Sequence, residues 1–149
     1  MQEKRTLYLA GKITGDPYYF TKFYNAQGNA NNAVLTKGGK TMQKKTVYLA
    51  GKITGDPFYR SKFYEAQKKL EDGGFIVVNP ALLPSEGFTW EAYMRMSGAM
   101  LAECAEVCFL PDWKESKGAK YEFGEAMAQN KPFFFFADWE REGSQNAEK

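Results

Sequence analysis

Four short apolar runs, set between stretches of helical periodicity, restrict how this 149-residue chain folds more than anything else in it. They are Thr46–Ala50, Phe75–Val78, Val107–Leu110 and Phe133–Phe136. Each is rich in β-branched or aromatic residues and too short for a helix, the pattern of buried strands. Between the first two, Tyr59, Phe63, Ala66 and Leu70 recur at helical spacing and form an apolar stripe. Asp56 stands where the N-cap of that helix belongs and Pro57 where its first residue belongs, and Gly73-Gly74 ends it. Thr89, with Glu91 in the next turn, opens a second helix running to Glu103, and a third is expected over 119–130.

This alternation predicts an α/β fold of the Rossmann-like (flavodoxin-like) three-layer type, with a parallel sheet of about four to five strands. Ligands of such sheets sit at the carboxyl ends of the strands, so the loops 51–56 and 111–117 are the candidate site. The Phe133–Phe136 run has no polar alternation and is expected to be buried on both faces. Residues 138–149 are charged and polar, and read as a terminal helix turn or a frayed tail.

A second feature is a repeat. Tyr-Leu-Ala-Gly-Lys-Ile-Thr-Gly-Asp-Pro occurs at Tyr8–Pro17 and again at Tyr48–Pro57, and residues 4–27 match 44–67 at 18 of 24 positions. Only the second copy continues into a full helix. The first runs into the polar stretch Gly28–Ala33, so residues 1–41 read as a partial duplicate of strand, loop and half-helix plus a linker. A segment that short does not normally bury a core of its own. The working domain is therefore expected at 42–137, with the second copy in the native slot.

Composition narrows the chemistry. The 20 basic and 18 acidic residues are interspersed, without the basic stripe of a duplex-binding protein. Histidine is absent, which removes Ser-His and Cys-His pairs, imidazole bases and histidine-ligated metals. Two cysteines four apart, Cys104 and Cys108, do not close a zinc site and read as buried thiols. No metal and no dissociable cofactor is expected. The first residues are charged and no apolar run approaches the ~20 residues of a membrane span, so a cytoplasmic protein with no membrane partner is expected.

Acid–base or nucleophilic work must then fall to carboxylates, Tyr, Lys or Cys. The loop Gly51-Lys52-Ile53-Thr54-Gly55 is not a Walker loop, because Thr46 stands where its first glycine belongs and Ile53 where its hydroxyl residue belongs. It remains a glycine-rich strand-to-helix turn whose backbone N–H groups suit an anion, or simply a turn. In the segment from Pro111 to Glu122, Asp112 falls at a strand end and Gly118 permits close approach. Glu122 falls near the start of the next helix, where the helix dipole favours the carboxylate by about 0.3–1 kcal/mol. Such a carboxylate serves as a nucleophile or an electrostatic stabiliser, or merely stabilises the helix.

The opening Tyr48, Ala50 and Gly51, the Asn79-Pro80 pair, and the block Trp113, Ser116, Gly118, Ala119 and Glu122 resemble the nucleoside 2-deoxyribosyltransferase family. The similarity spans about residues 44–137 and is closest to a small uncharacterised branch common in phages and bacteria. It implies a glutamate, Glu122, that attacks the anomeric carbon and expels the base, with the two-step covalent logic of retaining glycosidases. It implies Asp112 as the carboxylate handling the leaving base and Tyr48 as the tyrosine beside the nucleophile. Substrate contacts are expected from Gly51, Lys52, Gly55, Asn79, Trp113, Ser116 and Gly118, with Ser116 at a phosphate and Lys52 near the sugar or phosphate. Trp113 is expected either to stack on a base or to pack down on its loop. Trp90 and Tyr93 lie at the mouth of the crevice or in an oligomer contact, and a homo-oligomer is expected by resemblance. The expected function is cleavage or transfer at the N-glycosidic bond of a nucleoside or nucleotide. The alternatives are a nucleotide-binding protein without turnover, and an interaction module assembled through the duplicated segment.

Overall fold

The computed structural model describes residues 44–147. The duplicate at 1–41 and the linker-like stretch within it lie outside the described residues. Four strands, β1 (Thr46–Ala50), β2 (Ile76–Val78), β3 (Glu106–Phe109) and β4 (Phe133–Phe135), form one sheet in the order β2-β1-β3-β4. Every pairing is parallel, with Tyr48 opposite Val78 on one side and Val107 on the other. Four helices follow the strands in turn: α1 (Tyr59–Asp72), α2 (Trp90–Glu103), α3 (Lys117–Ala128) and α4 (Phe136–Ala147). This is a three-layer α/β fold of the flavodoxin-like kind, and the strand order reverses between β1 and β3.

The period-two pleat explains why both faces of the sheet are covered. Val47 and Leu49 point to one face, where they meet Phe63, Ala66 and Leu70 of α1 and Phe136 and Trp139 of α4. Tyr48 and Ala50 point to the other face, among Leu101 and Cys104 at the end of α2 and Ala126 of α3. All four of these β1 residues are fully buried. Burying a side chain the size of Leu49 or Leu70 contributes about 1.5–3 kcal/mol, so β1 sits at the energetic centre of the fold. The second copy of the repeat is the one that supplies it.

Several local expectations shift. Helix α1 starts at Tyr59 rather than Pro57, because Asp56 spends one carboxylate oxygen on the amide of Phe58, at 2.9 Å. Helix α2 runs as expected, with Thr89 Oγ1 accepting from the Ala92 amide at 3.1 Å. Helix α3 starts at Lys117, two residues early, because Ser116 caps it by accepting from the Ala119 amide at 3.1 Å.

The run Phe133–Phe136 is not a strand buried on both faces. Strand β4 is an edge strand of half-buried residues, and Phe136 already begins α4. The expected polar tail is therefore the helix α4, tied down by Trp139, whose ring lies 6.3 Å from that of Phe75. Gly73 accommodates that ring, since a Cβ there would lie 2.6 Å from Trp139 Cζ2. The two cysteines do not share a helix: Cys104 ends α2 and Cys108 lies in β3, in opposite cores. Among the described residues, no helix is long and apolar enough to cross a membrane.

Candidate functional site

Helix α3 buries the stripe Ala119, Glu122 and Ala126, so its one glutamate on that stripe is carried into the core side of the helix. Glu122 is only 6% exposed. Its single tie to a side chain comes from Tyr48, whose phenol Oη donates to Glu122 Oε1 at 2.6 Å. Burial pushes the Glu122 carboxyl up to about 7, and the hydrogen bond from Tyr48 opposes that rise. The dipole argument made from sequence fails here. Glu122 lies in the second turn of α3, beyond the reach of the helix-terminal charge, and desolvation governs it. Burial and then the neighbouring Glu122 charge hold the Tyr48 phenol well above its ordinary value, so it stays a donor.

Glu122 faces a cleft of about 910 Å³ at the carboxyl ends of β1 and β3, the switch point of the sheet. That volume lies within the ordinary range for small-molecule sites. One wall is the β1–α1 loop with Gly51, Ile53, Gly55, Asp56 and Pro57, backed by Tyr59. The opposite wall is α2, with Trp90, Tyr93, Met94 and Ser97, closed above by Leu83 and Pro84. The start of α3 supplies Ser116, Lys117 and Gly118. Tyr93 is fixed by its hydroxyl, which donates to the Pro84 carbonyl at 2.6 Å. Lys117 Nζ stands 4.3 Å over the ring of Trp90 and links the first residues of α2 and α3 across the mouth.

The glycines act through packing and conformation. Gly51 has no room for a side chain: a Cβ there would lie 3.0 Å from Leu110 Cβ and 3.2 Å from Phe63 Cζ. Gly55 turns the loop with φ of +79°, a conformation L side chains rarely adopt. At Gly118 the close neighbour is Met94, with Sδ 3.3 Å from where a Cβ would stand.

Of the residues singled out from sequence, Glu122, Gly51, Gly55, Ser116 and Gly118 line the cleft, and Tyr48 lies directly behind Glu122. The rest are placed elsewhere. Asp112 is behind the β1–α1 loop, where Oδ1 accepts from the Lys52 amide at 3.1 Å and Oδ2 accepts from Lys62 Nζ. Lys52 is not among the lining residues, but its ammonium pairs at 3.4 Å with Glu115, which is. Asn79 caps the Pro80–Leu82 turn and donates to Gln67 at 2.9 Å. Trp113 packs down, its ring stacked on Phe123 at 4.8 Å and on Phe135 at 6.1 Å. The aromatic residues that do line the cleft are Tyr59, Trp90 and Tyr93.

Two residues to which the sequence reading gave no role now matter. Ser97 is nearly buried on α2 and lines the cleft beside Tyr48, where its hydroxyl bears on the phenol oxygen. Lys62 gathers the carboxylates of Asp56 and Asp112 and the carbonyl of Lys52. No short-range pattern marks either, since both depend on which strand ends meet. Among the described residues, no group of three or more acidic or cysteine side chains is arranged to hold a metal ion.

Residues 45–135 match the family model described as Domain of unknown function (DUF4406), over more than half of the chain. The chain belongs to that family. The match ends at the close of β4 and includes both loops that frame the cleft. Among solved structures, the chain is similar to "2-desoxiribosyltransferase from Leishmania mexicana", at 20% identity and a TM-score of 0.49. The similarity covers 61% of this chain and 63% of that one, so the chain spans less than two thirds of that protein's length. No curated protein matches.

Proposed function

We propose that the cleft cleaves or transfers the N-glycosidic bond of a nucleoside or nucleotide through a covalent intermediate on Glu122. One observation carries this reading: a buried carboxyl on the floor of the cleft, held at one oxygen by a phenol that remains a donor. Tyr48 occupies Oε1, which leaves Oε2 as the attacking atom. A carboxylate lifted to about 7 is more basic than an exposed one and so a stronger nucleophile once ionised.

Attack by Oε2 on the anomeric carbon forms a carbon–oxygen bond as the carbon–nitrogen bond to the base breaks. The bonding pair leaves with the base, which takes a proton. The resulting sugar ester of Glu122 keeps the Tyr48 hydrogen bond on its carbonyl oxygen, and water or a second base then displaces the carboxylate. This is a retaining, two-step displacement. The aromatic wall of Tyr59, Trp90 and Tyr93 suits a planar base, with stacking of about 1–3 kcal/mol per base. The base-handling role first given to Asp112 has no support from its position, since Lys62 and the Lys52 amide hold it behind the loop.

The test is incubation of the full chain with 2′-deoxynucleosides and their 5′-monophosphates while free base is followed chromatographically. Release of base that stops in Glu122→Gln supports the reading. Release at the parent rate in Glu122→Gln sinks the covalent role, and tight binding with ligand intact after hours supports a binder instead.

A further inference from the structure

Strand β1 ends at Ala50, and from there to Tyr59 the chain has no ladder to hold it, yet this loop makes one whole wall of the cleft. Its backbone is pinned at few points. The Lys52 amide donates to Asp112 Oδ1 at 3.1 Å, the Phe58 amide donates to Asp56 Oδ1 at 2.9 Å, and the Asp56 amide donates to the Ile53 carbonyl at 3.2 Å. One side chain reaches Lys52, Asp56 and Asp112 together. Lys62, on the first turns of α1, donates from Nζ to the Lys52 carbonyl at 2.8 Å, to Asp56 Oδ2 and to Asp112 Oδ2.

An ammonium has three protons, and the three acceptors use all of them. The acceptors come from the start of the loop, the end of the loop and the segment after β3. The Lys62 side chain is 26% exposed, and those of Asp56 and Asp112 are 20% and 23% exposed. The cluster is thus screened only in part. Burial lowers the Lys62 ammonium, but the hydrogen bonds it donates to both carboxylates hold it above its ordinary range. Without the cation, two carboxylates would face each other across the loop and a carbonyl would lose its donor.

We infer that Lys62 is a positioning residue that clamps the Gly51–Pro57 loop to the Asp112 segment and thereby sets the cleft wall. Asp112 then serves as the anchor of the clamp. The inference concerns the loop and does not depend on the reaction proposed above. The cluster also accounts for the displaced start of α1, because the same Asp56 carboxylate serves both the Phe58 amide and Lys62.

Hydrogen exchange on the full chain tests it. In Lys62→Met the amides of residues 51–58 are expected to exchange faster, by about tenfold or more for the Lys52 amide, the change a lost charged hydrogen bond brings. Amides of β1 and β3 should keep their protection. Lys62→Arg, which retains the cation and its donors, should recover most of the loop protection. Combining Lys62→Met with Asp112→Asn should give less than the sum of the two single effects, since both break one clamp. Unchanged loop amides in Lys62→Met, additive effects in the double variant, or a loss spread evenly over the sheet would each overturn the clamp. If Lys62→Met does not fold, Asp56→Asn removes a single charge from the same cluster. It must then speed exchange in 51–58 alone for the inference to stand.

Discussion

Replacing Glu122 by glutamine is expected to stabilise the protein at alkaline pH and leave its stability at acid pH almost unchanged. The magnitude follows from proton linkage. The ordinary value for this carboxyl is 4.5, and the folded protein raises it to about 7. A group raised on folding binds its proton more tightly in the native state than in the unfolded chain. Its contribution is fully present below the unfolded value and is lost as pH rises through the folded one. The window therefore opens near 4.5 and closes just above 7. A separation of about 2.5 units at about 1.36 kcal/mol per unit gives about 3 kcal/mol, the cost of holding an ionised Glu122 in its buried site at high pH.

Glutamine keeps the shape and the oxygen that accepts from Tyr48, and it never ionises. Every other titrating group is common to the two proteins, so the difference between their stabilities isolates Glu122. Urea unfolding of both proteins is the assay, at about pH 4 and about pH 8, with slopes checked for equality so that midpoints report stability alone. The glutamine protein should be the more stable by about 3 kcal/mol at the higher pH, and by a few tenths at most at the lower. A gap that is equal at the two pH values, or a glutamine protein that is less stable at high pH, refutes the account of Glu122 as a desolvated carboxyl. The same substitution should abolish base release, so the nucleophile would be a site where function costs stability.

Two further outcomes test the surroundings of Glu122. Tyr48→Phe removes the one hydrogen bond that opposes the rise of Glu122, so the acid limb of the pH–rate profile should move upward from about 7. The loss of a charged hydrogen bond, about 1.5–3 kcal/mol, corresponds to a shift of about one to two units, and an unmoved or lowered limb contradicts it. Trp90→Ala should weaken nucleoside binding, measured by calorimetry, by about tenfold or more through lost stacking. Because Trp90 is already 37% exposed, the thermal midpoint should barely move, and a large drop in midpoint would assign Trp90 to folding instead.

The fold was legible because its signals are local. Runs such as Thr46–Ala50 and the stripe Phe63, Ala66 and Leu70 encode burial by period alone, and the sheet and α1 follow from them. The ends of elements were less legible, since they turn on side-chain choices a pattern does not carry. Asp56 serves the Phe58 amide and Lys62, and Ser116 caps α3 from a position read as ligand-binding. In the site, Glu122 was legible as a residue, but its electrostatics were not. Its place on the buried stripe Ala119, Glu122 and Ala126 was the available clue, and it points to desolvation. The direction of Asp112 was not legible, and that of Trp113 was open between two readings, because a residue at the end of a strand can turn either into the crevice or behind it. Trp113 turned toward Phe123 and Phe135, where an indole ring finds apolar neighbours, and Asp112 turned toward the nearest cation.

The repeat takes on a sharper meaning once the second copy has a structure. The six positions at which 4–27 and 44–67 differ are not scattered at random with respect to burial. Lys45, Phe58, Arg60, Ser61 and Glu65 are exposed in the second copy, and the sixth exchange, at Val47, is leucine for valine in the core. Val47 apart, the buried and site-facing residues of β1, its loop and the first turns of α1 recur: Tyr8 for Tyr48, Gly11 for Gly51, Asp16 for Asp56 and Lys22 for Lys62. What does not recur is the other half of the site. Asp112, which the loop needs as an anchor, and Glu122, which carries the carboxylate, each occur once and lie far beyond either copy. The repeat therefore duplicates the sequence of the loop and of the tyrosine that bonds Glu122, without duplicating Glu122. Leu70, which helix α1 buries against the core, has Ala30 at the matching position of the first copy.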